Sequence, residues 1–326
     1  MKEVWASRQT VKLKKSTHLR FGILTAILLT SGAWAQTKSP EAIAILKFYD
    51  AAQGISFPVA AAPTDVLFDG SSLWVASGPS HSIKKLRASD GATLGTFSTP
   101  DLANSIAFDG ANIWLTNSHQ GSVSKMRASD GAILGTFPAG TTPFGLAFDG
   151  VNIWVSNVLG NTVTKLRAGD GANQGTFQTG LAPTGVAFDG ANIWIANNLD
   201  RTVTKLRARD GANLGTFPTG PFPRKLAFDG VSIWVTNGGS NTVTKLRASD
   251  GLNQGTFTVG NNPLDVAFDG TSVWVANSVD NTVTRLRTKD GHNLGTFPTG
   301  ILPSGVAFDG ANIWVTNQND NTISKL

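Results

Sequence analysis

Residues 180–219 read GLAPTGVAFDGANIWIANNLDRTVTKLRARDGANLGTFPT, and the same pattern returns every 40 residues. The Phe-Asp-Gly triplet fixes the register, its Phe falling at Phe68, Phe108, Phe148, Phe188, Phe228, Phe268 and Phe308 with no insertion or deletion between copies. A fixed period in this range belongs to a repeat architecture whose units bury their apolar faces only against one another. Within the quoted copy, Gly185-Val186-Ala187-Phe188 is a short apolar strand and Asp189-Gly190 a hairpin turn, Gly supplying the positive φ. Ile193–Ala196 forms a second strand. A loop through Asn197–Arg201 leads to the β-branched run Thr202–Arg207, and a further Asp-Gly turn precedes the outer strand Leu214–Phe217. Four short strands per 40 residues, seven times over, predict an all-β, seven-bladed β-propeller of four-stranded antiparallel blades spanning residues 54–326.

Two further features support that reading. The first two strands of each copy are almost wholly apolar, as sheets covered on both faces require. Seven tryptophans, from Trp74 to Trp314 at 40-residue spacing, then serve as large packing groups between adjacent blades. The sequence stops at Leu326, which corresponds to Leu286 of the preceding copy, so copy seven lacks an outer strand. A shift of 240 residues aligns Phe57, in Gly54-Ile55-Ser56-Phe57-Pro58, with Phe297, in Gly295-Thr296-Phe297-Pro298. The N-terminal segment is expected to supply the missing strand and close the ring, leaving no open sheet edge.

Residues 1–35 have the pattern of a secretory leader: six basic residues, an apolar run from Phe21 to Leu29, and Ala33-Trp34-Ala35 as an A-x-A cleavage site. Cleavage after Ala35 and a periplasmic or secreted protein are expected. The leader holds the whole formal charge of +5, leaving 21 basic and 21 acidic residues beyond it. The high pI is therefore no argument for a nucleic-acid partner. Residues 36–53 stand outside the repeat and predict a linker with a short helix, Ser39 as N-cap and Pro40 at the first helical position. No stable membrane insertion is expected once the leader is removed, and the chain is expected to be a monomer. It has no cysteine, which removes disulfides, thiolate nucleophiles and cysteine metal sites.

The Phe-Asp-Gly…Ile-Trp-Val-Thr-Asn…Asn-Thr-Val repeat, clearest at Trp234-Val235-Thr236-Asn237 and Trp314-Val315-Thr316-Asn317, resembles the YVTN-type propellers of bacterial exported and surface proteins. In blade layout it is also similar to the virginiamycin B lyase-like propellers. The lyase resemblance implies a metal-assisted elimination carried by His and Glu residues on one propeller face. Beyond the leader, however, this sequence has a single glutamate, Glu41, which lies before the propeller, so no lyase residue carries over.

Repetition offers a way to locate function. Residues identical in every copy are accounted for by the blade, and specificity must sit where the copies differ. The segments entering the first strand differ most: Thr64-Asp65, Asn104-Ser105, Phe144-Gly145, Thr184-Gly185, Arg224-Lys225, Leu264-Asp265 and Ser304-Gly305. They are expected to ring the mouth of the central channel. A charged, asymmetric rim of Asp65, Asn104, Arg224, Lys225 and Asp265 with the aromatics Phe144 and Phe222 suits a binding site for a protein, peptide or glycan. His81 and His119, in second-to-third-strand loops of adjacent blades, are expected on the same face. Together with Asp65 and Asp265 they motivate the alternative, a metal-assisted lyase or hydrolase. Two histidines make an incomplete zinc site, and neither a catalytic residue nor a metal or other cofactor is assigned. The Asp-Gly pairs are turns rather than calcium loops. The Lys-Leu-Arg runs are balanced by neighbouring aspartates.

Overall fold

The computed structural model describes residues 55–326; the expected leader and the linker helix lie outside the described residues. Seven four-stranded antiparallel sheets are arranged as blades. Blade 5 shows the plan: Pro223–Phe228 innermost, then Ser232–Asn237, Thr242–Arg247 and Asn253–Thr258 outermost. In the first six blades each strand pairs only with its sequence neighbours, so all connections within a blade are hairpins. The seventh sheet alone departs from sequence order. It is built from Pro303–Phe308, Ile313–Asn317 and Thr322–Lys325, with Ile55–Pro58 paired antiparallel on the outside. Its register is Pro58↔Thr322 and Phe57↔Ile323, matching Pro298↔Thr282 and Phe297↔Val283 in blade 6. The ring closes with the first strand of the fold completing the last blade, as the alignment of Phe57 with Phe297 predicts.

The core is not one cluster but seven, each shared by two consecutive blades. Trp194, Ala196 and Val203 of blade 4, for example, pack with Leu226, Ile233, Val235 and Leu246 of blade 5. Trp314 and Ile323 of blade 7 pack with Val66, Leu73, Val75 and Leu86 of blade 1. Six of the seven repeated tryptophans are fully buried and Trp274 nearly so. A blade on its own would expose both faces, so its stability depends on its neighbours.

Each Trp is held in place at three points. Its indole Nε1 donates to the Asp of the Phe-Asp-Gly turn at 2.7–2.8 Å in all seven blades, from Trp74–Asp69 to Trp314–Asp309. The other oxygen of that Asp accepts backbone N–H groups of the turn, as Asp189 does from Ala191 and Asn192. A Phe of the outer strand lies 5.3–5.7 Å from the indole, centroid to centroid. The cross-strand Lys lies over the ring: Lys205 Nζ is 4.9 Å from the Trp194 centroid and donates to the Ala248 carbonyl of the next blade at 2.7 Å. The same lysine bond recurs from Lys85 to Lys245, and Lys325 carries it to Ala88 and Ser89 across the closure. Arg285, the one arginine in this position, turns back to Ser272 and Asp269 of its own blade.

The Lys-Leu-Arg run therefore sends its two cations to different places. The Lys bonds one blade to the next, while the Arg stays exposed and pairs with the Asp three residues on, as Arg207 with Asp210 at 3.0 Å.

Candidate functional site at the channel mouth

At the axis, on the face opposite the Phe-Asp-Gly turns, lies a cavity of about 230 Å³. One residue from each blade lines it, all from the same repeat position: Thr64, Asn104, Phe144, Thr184, Arg224, Leu264 and Ser304, with Lys225 and Gln318 completing the wall. The innermost strands begin here, most of them at a proline such as Pro143 or Pro223. Proline fixes φ and needs no ladder donor at a strand start, so each inner strand enters the sheet at one height and presents its next residue to the axis.

Beneath the rim, the following repeat position forms a second ring: Asp65, Ser105, Gly145, Gly185, Lys225, Asp265 and Gly305. At two of these positions space dictates the glycine. A Cβ on Gly145 would come within 2.1 Å of the Thr184 carbonyl oxygen, and one on Gly185 within 2.3 Å of that of Arg224. Where a side chain is present, it is polar. Asp65 is buried and accepts from Ser105 Oγ at 2.7 Å and from the Ile106 N–H at 3.1 Å. Lys225, from the fifth blade, spans the axis to reach Asp65 at 3.2 Å and Ser105 Oγ at 3.3 Å. Asp265 is also buried, its oxygens accepting from the Val266 and Val306 N–H groups.

The electrostatics follow from that burial. Burial pushes the Asp265 carboxyl up to about 6; the attraction of Lys225 opposes this and the nearby Asp65 charge adds to it. Burial works against the Lys225 charge too, but the attraction of Asp65 and Asp265 outweighs it and holds the ammonium above its ordinary range. Burial lowers Arg224. Two cations and two carboxyl groups thus occupy the mouth and the layer under it.

Most polar groups of the rim are already committed. Thr64 Oγ1 donates to the Ala103 carbonyl, Thr184 Oγ1 to that of Arg224, and Ser304 Oγ to that of Pro63, each a bond to the next blade. Asn104 donates to Ser118 Oγ at 2.7 Å. Arg224 differs: its Nε is shielded from solvent and has no hydrogen-bond partner among the described residues. The neighbouring Gly238 leaves it space, since a Cβ there would lie 3.2 Å from Arg224 Nε.

Of the residues singled out in the sequence, the structure brings Asn104, Phe144, Arg224 and Lys225 to the cavity and sets Asp65 and Asp265 in or next to the layer below it. It places Phe222, His81 and His119 away from the lining. Phe222 is exposed with φ 53°, and the equivalent residues Ala62, Thr142, Ala182, Asn262 and Leu302 share that left-handed conformation. His81 likewise has φ 46°, in a position held by Asn161, Asn241, Asn281 and Asn321 in other blades. Left-handed backbone favours Asn over most residues, which explains the repeated Asn that His81 replaces. His119 Nδ1 lies 3.1 Å from Asp101 Oδ1 in an exposed loop. Among the described residues, no three His, Cys, Asp or Glu side chains converge on one point, so His81, His119, Asp65 and Asp265 do not form a common ligand set.

Gln318 is a lining residue that the sequence reading did not single out. Its signal was available, since the equivalent positions carry Gly78, Ser118, Val158, Asn198, Gly238 and Ser278, a variable series in the loop after the second strand. The bond from Lys225 to Asp65, 160 residues away, has no signal in either segment alone.

No family model matches the chain and no curated protein matches it. Solved structures do. A streptogramin B lyase is 17% identical with a TM-score of 0.71, covering 83% of this chain and 95% of its own. A virginiamycin B lyase from Staphylococcus aureus is 17% identical with a TM-score of 0.72, covering 84% of this chain and 98% of its own. The hydrazine synthase of Kuenenia stuttgartiensis gives 18% identity and a TM-score of 0.72, with coverage of 84% and 98%. Identity this low carries the fold alone: the chain is a seven-bladed propeller distantly similar to the virginiamycin B lyase-like propellers.

Proposed function

We propose that this protein is an exported binding scaffold of the YVTN type that engages a peptide, protein or glycan through the mouth face. One observation carries the reading. The polar residues repeated from blade to blade are spent on building blades and holding them together. The rim position instead differs from blade to blade and walls a cavity holding Arg224, Lys225, Phe144 and Leu264. Fold likeness alone does not transfer an activity, so the lyase names of the similar structures do not decide the matter. Among the described residues, the His and Asp side chains that would motivate a metal-assisted reaction do not gather into a group of three: His81 and His119 lie in loops off the cavity lining, and Asp65 and Asp265 lie under the mouth.

The scaffold reading is tested by selecting binders from displayed peptide libraries and a glycan panel against the protein and against Phe144→Asp/Leu264→Asp. Binders lost on the double variant support the mouth face; binders indifferent to it, or none at all, defeat it. Metal-dependent turnover of a lactone, glycan or cyclic-peptide panel would establish the lyase or hydrolase alternative instead. Export is checked by sequencing the N-terminus of the protein recovered from the host, which should begin at Gln36.

A further inference from the structure

We infer that the mouth is a site for a monoanionic carboxylate attached to an apolar group, with Arg224 holding the carboxylate and Phe144 and Leu264 the apolar part. This rests on the scaffold reading above and specifies what the scaffold takes.

The polar inventory of the rim points to this ligand. The threonine and serine hydroxyls and the Asn104 amide are bonded to protein partners, and Lys225 is held by Asp65. The Gln318 amide and the Arg224 guanidinium are not held in this way, and of the two only Arg224 carries charge; its Nε is shielded from solvent and lacks a hydrogen-bond partner among the described residues. It also differs from the arginines of the third strands, such as Arg207 and Arg247, which pair with an Asp three residues on. The shielded Nε is not itself open to a ligand, but Arg224 is only partly buried and its terminal N–H groups face the cavity it lines, where a planar guanidinium is matched by the two oxygens of a carboxylate. Arg224 shares the wall with Leu264 of the next blade and Phe144 two blades away, which offer an apolar surface to the group that carries the carboxylate.

Size and charge narrow the class. A cavity of about 230 Å³ is below the roughly 300–1,000 Å³ of pockets that swallow whole drug-sized ligands. It suits one end group. The Asp65 and Asp265 carboxyls beneath the mouth oppose the charges of Arg224 and Lys225, leaving little excess positive charge for a phosphate dianion. With Lys225 held by Asp65, Arg224 is the cation left to face a ligand, and one guanidinium is matched by one carboxylate. A free aryl- or alkyl-carboxylic acid and the C-terminus of a peptide ending in an apolar residue share this chemistry.

The test uses 3-phenylpropionate against its neutral amide, and the peptide Gly-Gly-Ala-Phe with a free against an amidated C-terminus, measured by calorimetry and saturation-transfer NMR. Both free acids are expected to bind about tenfold or more tightly than their amides, the value of one charged hydrogen-bonded contact. Arg224→Gln and Arg224→Met should remove that preference without changing amide binding, and Phe144→Ala should weaken acid and amide alike. Preference for the small acid alone assigns a metabolite site, and preference for the peptide acid alone a C-terminal peptide site. The acid-versus-amide comparison on the unaltered protein needs no variant to fold. Equal binding of acid and amide, retention of the preference in both Arg224 variants, or no binding of any probe overturns the inference. Peptides selected on the mouth face that bind with either C-terminus would leave the scaffold standing while removing the carboxylate; absence of both defeats the two together.

Discussion

The two faces of this propeller use the same kinds of residue to opposite ends. On the turn face, Asp189, Trp194 and Lys205 form a closed set of bonds that recurs around the ring, and these charges are answered within the same or the next blade. At the mouth, Asp65, Lys225 and Asp265 come from three non-equivalent blades, and Arg224 has a donor unanswered among the described residues. Aspartate and a basic residue mean little by type alone. Where the arrangement repeats it builds the ring, and where it occurs once it is the part that the proposed binding uses.

The sharpest way to break this comparison is to remove a repeated group. Trp194→Ala empties a site shared by blades 4 and 5 and should destabilise by about 3–5 kcal/mol, read from the chemical denaturation midpoint, with no effect on mouth ligands while the ring stays folded. If it weakens mouth binding in the folded protein, the faces are not independent. Next comes Lys225→Met, which leaves the buried Asp65 without its cation. Losing one partner of a buried pair costs about 3–5 kcal/mol. Here about 2–3 kcal/mol is expected, because Lys225 is 23% exposed and Asp65 keeps the donors of Ser105, Ile106 and Val66. The double variant Asp65→Asn/Lys225→Met should recover part of that loss, and strict additivity would show that the two do not interact.

A pH titration sharpens the contrast further. In the turns, Asp69, Asp109, Asp269 and Asp309 are lowered: burial alone would raise them, but the indole and backbone donors together prevail. Their contribution to stability is present above the ordinary carboxylate range and is lost as pH falls through their lowered values. Asp265 has the opposite sign. Its carboxyl, raised to about 6, binds a proton more readily in the fold than in the unfolded chain, so its unfavourable contribution grows as pH rises from about 4 to about 6. The stability of the parent relative to Asp265→Asn should therefore improve on acidification through that window. A pH-independent difference would refute the assignment. The smallest effect is expected at the rim of the turn face: Arg207→Ala breaks an exposed pair with Asp210 and should leave the denaturation midpoint unchanged, since solvent screens such pairs.

The fold was legible because repetition multiplies a weak signal. One copy of Gly185–Phe188 with Asp189-Gly190 is an ordinary hairpin, but seven in a fixed 40-residue register admit few architectures, and the offset of Phe57 from Phe297 pointed to the closing strand as well. The site was legible only as a set of positions. Variation at 64, 104, 144, 184, 224, 264 and 304 located the wall, because residues equivalent in the repeat are equivalent around the axis. It did not tell which side chains turn inward. Thr64 and Thr184 spend their hydroxyls on the next blade, and Phe222 shares a left-handed backbone position with five other residues instead of lining the cavity. His81 and His119 share a loop type with Gln318, yet only Gln318 reaches the wall.

What the sequence determined by itself is the part governed by local periodicity: strand, turn, blade, the number of blades, and the closing strand. The first four depend on hydrogen bonds and apolar alternation within some 40 residues, repeated in kind, and the closing strand on the match of Phe57 to Phe297 six periods away. The tertiary structure decided the rest. It made the Asp of each Phe-Asp-Gly a partner of the indole as well as a turn residue, and it sent Lys205 to the next blade and Arg207 to solvent. It also laid Lys225 across the axis to Asp65 while leaving the Nε of Arg224 without a partner among the described residues. The reason is geometric. Closing a ring brings residues 40, 120 and 160 positions apart within hydrogen-bond reach, and burial then fixes which charges are paired.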